Sequence, residues 1–442
     1  MVLKGLYLRG RFFAALAAAG LLFLFAFSFP AVFGIARLLF FLLLGLFFLD
    51  LYALFRLKKP LFARRLLPER LSNGNENEIS VYVENRYPFP VRLELIDELP
   101  FQFQKRDLLF RTDLRSAETK IIHYRLRPVK RGEYEFGALN LFASGRLGLV
   151  QRRFRFAQDE TVKVYPSFLQ MRRFELLAIS NRLREAGIKK LRRIGHSMEF
   201  EQVRNYVAGD DPRLINWKAT ARKGDIMLNA FQEERSQQVY SLIDKGRVMQ
   251  MPFDGLSLLD YAINASLVLA NTALAKGDKA GLLTFSDKIG NIVPAVKQRS
   301  HLNLILEVLY NQRTRYLESN YELLYATVRR KISQRSLLVL FTNFETLSGM
   351  RRQLPYLQGL AKYHLLLAVF FEDTELKELL DMRPGDTESI CLKTTAEKFA
   401  YEKRLIVKEL NLRGIHTLLT PPADLTISTI NKYLELKARS LL

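Results

Sequence analysis

The sequence has one cysteine, Cys391, one tryptophan, Trp217, and only five histidines in 442 residues. A lone cysteine excludes an intrachain disulfide, which fits a reducing compartment. The histidines (His123, His196, His301, His364 and His416) nowhere fall at zinc-ligand spacing, so a histidine-built metal site is not expected. The phosphate-cradling G-x-x-x-x-G-K-[ST] loop is missing, as are the G-x-S-x-G nucleophile elbow and the H-E-x-x-H zincin helix. The residues therefore predict no catalytic group and no cofactor. Acidic residues are also scarce beside basic ones, 45 against 67, leaving a net charge of +22. Such a surplus suits nucleic acid, acidic partners or an anionic membrane surface. No glycine-rich or aromatic-basic recognition motif accompanies it, so nucleic acid ranks below the other two.

What is abundant is apolar sequence near the start. Phe12 to Phe29 reads FFAALAAAGLLFLFAFSF without a charge, and eighteen helical residues reach roughly 27 Å, close to one hydrocarbon thickness. Pro30 interrupts the run, and a second one, Leu38 to Phe55, carries only Asp50 near its far end. Two spans joined by a short segment form an antiparallel hairpin. Lys4, Arg9 and Arg11 precede it, and Arg56, Lys58, Lys59, Arg64 and Arg65 follow, whereas the connection holds only Arg37. The positive-inside rule then puts both termini in the cytoplasm, in a bacterial inner membrane with two transmembrane helices. The competing reading is a cleaved signal peptide with Gly34 and Ala36 before the cut, but the segment between the runs is too apolar for a good cleavage region.

The chain divides into four parts by pattern. Residues 1–59 are the transmembrane hairpin, and residues 60–166 a β-rich, antiparallel sandwich-like domain. Within the latter, the basic stretch 60–72 reads as a juxtamembrane connector. EISVYVENR, VRLELIDEL, TKIIHYRLRP, EYEFGALNLFA and TVKVYP then alternate with period two. Residues 167–236 form a basic helical connector and a signature segment; residues 167–195 are predicted helical and carry Arg172, Arg173, Arg182, Arg184, Lys189, Lys190, Arg192 and Arg193. From residue 237 to 442, strands such as QVYSLID, KAGLLTFS, SLLVLFTN and HLLLAVFF alternate with helices. That order predicts a doubly wound α/β domain with a mostly parallel sheet, in which function gathers at the C-terminal strand ends, here Asp244, Ser286 and Asn343.

In GHSMEFEQVRNYVAGDDPRLINWKATARKGDIMLNAFQEER, residues 195–235, a helix near 198–207 is expected to end at Gly209. Asp211 suits an N-cap and Pro212 the first position of a second helix, which stops at Gly224. Asp210, Asp211, Arg213, Trp217, Lys218 and Arg222 then crowd onto one turn and helix. Capping and internal ion pairs explain most of them, with Trp217 as a packing anchor; the alternative is a recognition or catalytic site.

The order G-D-D-P-R-x-I-N-W-K-A-T-A-R, followed by a strand, paired glutamates and a strand ending in aspartate, resembles the bacterial "domain of unknown function 58" family. The resemblance covers essentially the whole chain. It implies a von Willebrand factor A-like domain at the C-terminal end and cooperation with a MoxR-type AAA+ ATPase or a sister von Willebrand A-domain protein. Asn216 stands where the family often has aspartate, which weakens a catalytic reading. Von Willebrand A-like domains often bind Mg²⁺ through an Asp-x-Ser-x-Ser run, a threonine and a further aspartate. Here those positions hold Asp244, Gly246, Val248, Ser319 and Asn343. Two hydroxyls and one carboxylate are missing, so no standard metal ion is expected. The reading is thus a membrane-anchored, cytoplasm-facing adaptor or scaffold that contacts the lipid bilayer and a protein partner. The alternatives are a basic nucleic-acid- or anionic-lipid-binding protein, or a hydrolase centred on the G-D-D-P-R segment.

Overall fold

The computed structural model describes residues 5–105, 108–156, 160–179, 198–207, 210, 212–233, 236–314, 316–381, 385–439 and 441. The chain forms two compact units, Met1–Tyr165 and Pro166–Leu442.

The first unit opens with strand β1 (Leu6–Leu8), helix α1 (Gly10–Ser28) and helix α2 (Pro30–Phe55). Both helices are long and apolar enough to cross a membrane. Only 6% of the most apolar window of each is buried within the protein. The expected connection of several residues between the spans is shorter than predicted, because Pro30 lies in the first turn of α2 and Arg37 is inside that helix. The first turn needs no N–H from its opening residue, so proline begins a helix there instead of interrupting one.

Strands β2 (Leu61–Leu66), β3 (Arg70–Ser72), β4 (Asn77–Asn85), β5 (Val91–Asp97), β6 (Leu109–Leu114), β7 (Thr119–Leu126), β8 (Gly132–Phe136), β9 (Leu139–Ser144), β10 (Val150–Phe156) and β11 (Glu160–Tyr165) complete the unit. They make sheets in the order β1-β10-β9-β5-β6, β3-β11-β8 and β2-β4-β7. The supposed connector 60–72 is thus two strands. Leu61, Ala63 and Arg65 point inward, while Phe62, Arg64 and Leu66 are exposed. The buried Arg65 made the stretch look like linker, yet its guanidinium is paired: Nε donates to Asp97 at 3.1 Å and Nη2 bonds the other Asp97 oxygen. All three sheets contribute to one apolar core, with Val81, Val83, Leu93, Leu95, Leu141 and Val164 buried.

The helix pair is built into this β-rich region. Strand β1 pairs with β10, and Leu54 of α2 belongs to the buried core. Asp50 is buried and accepts from the Leu149 and Val150 amides at 3.0 and 3.1 Å. The Leu54 carbonyl accepts from Tyr87 Oη at 2.8 Å and Arg152 Nη1 at 2.7 Å.

The second unit begins with α3 (Phe168–Ile179), β12 (Met198–Asn205), α4 (Trp217–Lys223) and β13 (Met227–Glu233). The rest of the predicted basic helix, 180–197, lies outside the described residues. Then come β14 (Gln238–Asp244), the small hairpin β15 (Pro252–Phe253) and β16 (Leu256–Ser257), and α5 (Leu258–Ala275). Strands β17 (Lys279–Phe285) and β18 (Ile289–Val296) and helices α6 (His301–Tyr310) and α7 (Tyr321–Lys331) follow. Strand β19 (Leu337–Phe341), α8 (Leu347–Tyr363), β20 (Leu365–Phe371), α9 (Thr374–Asp381), α10 (Thr387–Leu412), β21 (His416–Thr420) and α11 (Leu425–Ala438) end the chain. The sheet order β18-β17-β14-β19-β20-β21 is mixed. Strands β17, β14, β19, β20 and β21 run parallel, and β18 returns antiparallel at one edge.

Helix α5 is also apolar enough to span a membrane, but 78% of its window is buried among protein neighbours. Ser257 and Asp260 fix its start with a reciprocal capping box. Its apolarity serves the core.

Candidate functional site

Strand β14 is central, with parallel neighbours β17 and β19, and it delivers Asp244 to the C-terminal edge of the sheet. The carboxylate is fully buried. Its Oδ1 accepts from the Gly246 amide at 2.8 Å and from Ser319 Oγ. Its Oδ2 accepts from Thr342 Oγ1 at 2.8 Å and Tyr321 Oη at 3.3 Å, and those two hydroxyls lie 2.7 Å apart. Local structure aims each donor. Asn320 caps α7 by accepting from the Leu323 amide at 2.9 Å, which sets Ser319 just before the helix and Tyr321 in its first turn. Thr342 directly follows β19, the strand beside β14.

Burial raises the Asp244 pKa above the usual carboxylate value, although hydrogen bonds from Ser319, Gly246, Thr342 and Tyr321 oppose that rise. Tyr321 is pushed well above the ordinary phenol value, chiefly by burial and then by the charge on Asp244. Gly246 is required by contact, since a Cβ there would stand 2.2 Å from Ser319 Oγ. Asp244, Val248, Ser319 and Asn343 line one recess of about 200 Å³, together with Arg247 and Arg352.

Five positions read as a degenerate metal motif therefore do converge. The groups present do not fit a cation. Every donor around Asp244 is an O–H or N–H already directed at its oxygens, and two guanidinium groups share the recess. Asn343 Oδ1 accepts from Lys403 Nζ, which puts an ammonium beside the position where a second carboxylate would be needed. Burial lowers the Lys403 pKa to about 8, while Glu345 and Asp373 pull it upward. Among the described residues, no group of three or more His, Cys, Asp or Glu side chains could hold a metal ion. Ser286, at the end of the neighbouring strand, donates to Asp287 at 2.9 Å.

Lys403 also borders a larger cavity of about 610 Å³, lined by Phe253, Phe371, Leu376, Leu380 and Phe399. Sequence reading missed Tyr321, Thr342 and Lys403. The first two carried a usable signal, a hydroxyl immediately after a cap residue or at a buried strand end. Lys403 had none, being one charge on a long polar helix.

The signature segment differs from expectation. Residues 198–205 are not a helix but strand β12, paired antiparallel with β13 from Met198↔Glu233 to Asn205↔Met227. The period-two alternation of MEFEQVRN, satisfied by a neighbouring strand, outweighs its helical propensity. Nor does a helix begin after Asp211. Pro212–Leu214 is a single tight turn, and α4 starts at Trp217 under an Asn216 cap that accepts from the Ala219 amide at 3.0 Å. Gly224 ends it with φ +81°. Asp210 accepts from Arg204 Nη2 at 2.7 Å and from the Val207 amide at 3.0 Å, so it fixes the turn. Arg222 is exposed in the last turn of α4. Asp211, Gly209, His196 and the Arg213 side chain lie outside the described residues. Trp217 is no packing anchor, because it is 71% exposed.

These features define a protein with an apolar helix pair, a β-rich region and an α/β region whose sheet edge holds a closed, hydroxyl-bound aspartate. Residues 202–390 match the sequence model of the family described as "Protein of unknown function DUF58". Over these residues the chain is similar to the DUF58 family. It is 27% identical over 270 residues to "Uncharacterized protein YeaD" of Bacillus subtilis (strain 168), a match spanning 59% of this chain and 64% of the relative. Among solved structures, the conserved hypothetical protein BatB from Bacteroides thetaiotaomicron matches at 11% identity and a TM-score of 0.32, over 46% of this chain and all 100% of BatB. A PapD-like domain of human CEP192 matches at 13% identity and a TM-score of 0.18, over 24% of this chain and 87% of that domain. Scores this low do not establish a shared fold.

Proposed function

We propose that this chain is a membrane-anchored adaptor that holds a protein-binding α/β domain at the cytoplasmic face of a bacterial inner membrane. Helices α1 and α2 form the anchor, and the basic flanks around them favour cytoplasmic termini. The α/β region is von Willebrand factor A-like, and its partner is a MoxR-type AAA+ ATPase or a sister von Willebrand A-domain protein. The carrying observation is Trp217, a large aromatic left 71% exposed on a segment otherwise held by capping and hydrogen bonds. Tryptophan is among the residues enriched at the energetic centres of protein interfaces. Val207 and Ile226 add exposed apolar surface in the same segment. The closed Asp244 cluster supports binding over catalysis, since it leaves no free nucleophile or water site on that carboxylate.

The test replaces Trp217 with a photo-crosslinking phenylalanine analogue in the native cell. Recovery of a MoxR-type ATPase or a second von Willebrand A-like protein is the expected outcome. A membrane-inserted chain that crosslinks only to lipid, or to nothing, would defeat the adaptor reading. Trp217→Ala should cost less than about 0.5 kcal/mol of stability, as surface substitutions usually do.

A further inference from the structure

Strand β1 ends at Leu8, α1 begins at Gly10, and Arg9 stands between them as the helix N-cap. Its guanidinium turns onto the five-stranded sheet, donating to Ser144 Oγ at 3.1 Å and Glu94 at 2.9 Å. There it joins Arg92, Arg111 and Lys120 around one concavity of about 670 Å³ that also contains Glu94 and Asp113. Both carboxylates are engaged. Glu94 faces Arg9 at 2.9 Å and Arg111 at 3.7 Å, and Asp113 faces Arg92 at 3.3 Å. Four cations against two anions leave a surplus of two positive charges in one hollow. Lys120 Nζ donates to a neutral hydroxyl there, Thr112 Oγ1 at 2.7 Å.

A charged strand face is ordinarily just solvated, but this one sits at a defined depth. Arg9 immediately precedes an apolar helix, so with α1 in the hydrocarbon its guanidinium lies at the headgroup layer. The loop between β9 and β10 marks the same level. A Cβ at Gly145 would meet Asp50 at 2.8 Å, and one at Gly148 would meet the Arg11 and Arg9 guanidiniums at 3.6 and 3.7 Å. The hollow therefore opens beside the lipid phosphates.

We infer that the concavity formed by Arg9, Arg92, Arg111 and Lys120 is a binding site for the phosphate of an anionic phospholipid headgroup. Arginine side chains supply paired N–H donors that match phosphate oxygens. Lys120 adds a mobile point charge. An anionic lipid offsets the surplus charge, whereas a zwitterionic headgroup brings an ammonium into a site already rich in cations. This inference rests on the reading that α1 and α2 lie in lipid.

The experiment uses the full chain in detergent micelles doped equally with phosphatidylglycerol and phosphatidylcholine, with retained lipid counted by mass spectrometry. The chain should retain phosphatidylglycerol preferentially. Each interfacial basic side chain is worth about fivefold in anionic-lipid affinity. The double variant Arg111→Gln/Lys120→Gln, altered at exposed positions, should therefore lower the preference by up to about thirtyfold. Lys331→Gln/Lys408→Gln, two exposed cations of the other unit, should leave it unchanged. Equal retention of both lipids, or an equal loss in the control pair, would overturn the assignment. So would displacement of the lipid by inorganic phosphate or by duplex DNA, each pointing to a different ligand. Carbonate extraction separates the two levels. A chain released from membranes overturns the anchor and the site together, and a resistant chain without headgroup preference overturns the site alone.

Discussion

Each unit of this protein buries an aspartate in or beside a sheet, and the two are accommodated in opposite ways. In the β-rich unit, Asp97 meets Arg65 through two guanidinium hydrogen bonds and accepts from Tyr124 Oη. The Arg65 guanidinium also donates to the Gly137 carbonyl at 3.0 Å and stacks over Phe136 at 5.0 Å. Burial opposes the charge on Arg65, but hydrogen bonding and attraction from Asp97 outweigh it and raise its pKa. In the α/β unit, Asp244 meets hydroxyls and one amide, with no cation directly upon it among the described residues. Its pKa rises because dipoles alone do not fully replace water. The first site is an ion pair that is costly to break from one side. The second is a neutralisable acid whose main effect is to tie together the ends of β14 and β19 and the start of α7.

Breaking the pair should produce the largest effect. Arg65→Ala leaves Asp97 buried with only a phenol facing it, and should cost about 3–5 kcal/mol. Thermal unfolding of the full chain in detergent measures this. Arg65→Met/Asp97→Leu removes both charges and should cost clearly less. An equal loss in single and double variants would mean that packing, not charge, holds this part of the sheet.

The Asp244 site should respond more mildly. Asp244→Asn keeps a carbonyl for the Gly246 amide and Ser319 but turns an N–H toward hydroxyls that had been donating, at a cost of about 1–3 kcal/mol. Its pH dependence carries the sign of a raised acid. The wild-type contribution is complete below the unfolded value near 3.8 and is lost as pH rises through the higher folded value. The deficit of the asparagine variant should therefore be greatest in acid and shrink toward neutrality. A deficit that grows with pH would mean that Asp244 is stabilised as an anion.

The same contrast explains how far the sequence could be read. Two apolar helices, α2 and α5, have different fates, one with 6% of its window buried and the other 78%. Flanking sequence differs between them, because α5 sits between strand patterns, whereas α2 follows another apolar run and is itself followed by Arg56, Lys58, Lys59, Arg64 and Arg65. The strands ending at Asp244, Phe285, Phe341 and Phe371 were visible because each is a short run dominated by apolar residues. Hidden from the sequence were features completed by distant partners. Strand β2 looked like a linker until Asp97, thirty-two positions away, neutralised its buried arginine. Strand β12 looked helical until β13 paired with it. Asn216 took over the cap expected of Asp211 through a local bond that any of several polar residues nearby could have made. Of the recess, the backbone positions were legible and the hydroxyls that fill it were not, since Ser319, Tyr321 and Thr342 reach Asp244 from 75 to 98 positions away.

Lys403 gives the smallest effect and the sharpest comparison, because it is a half-buried cation in the same unit as Asp244. Its ammonium reaches Asn343, a neutral acceptor, and not Asp244. Burial depresses its pKa from 10.5 to about 8, with Glu345 and Asp373 limiting the fall. Between those two values the unfolded chain binds more protons than the folded one, so this group's contribution to stability rises with pH across that window. It is lost as pH falls through about 8. Competitive acetylation of the folded full chain, read peptide by peptide, should give Lys403 a reactivity midpoint near 8 instead of 10.5. Glu345→Gln should move that midpoint lower, because it removes a charge that favours the ammonium. An ordinary lysine midpoint, or an upward move in Glu345→Gln, would show that water reaches Lys403 freely and that the cavity beside it is open, not a lined pocket.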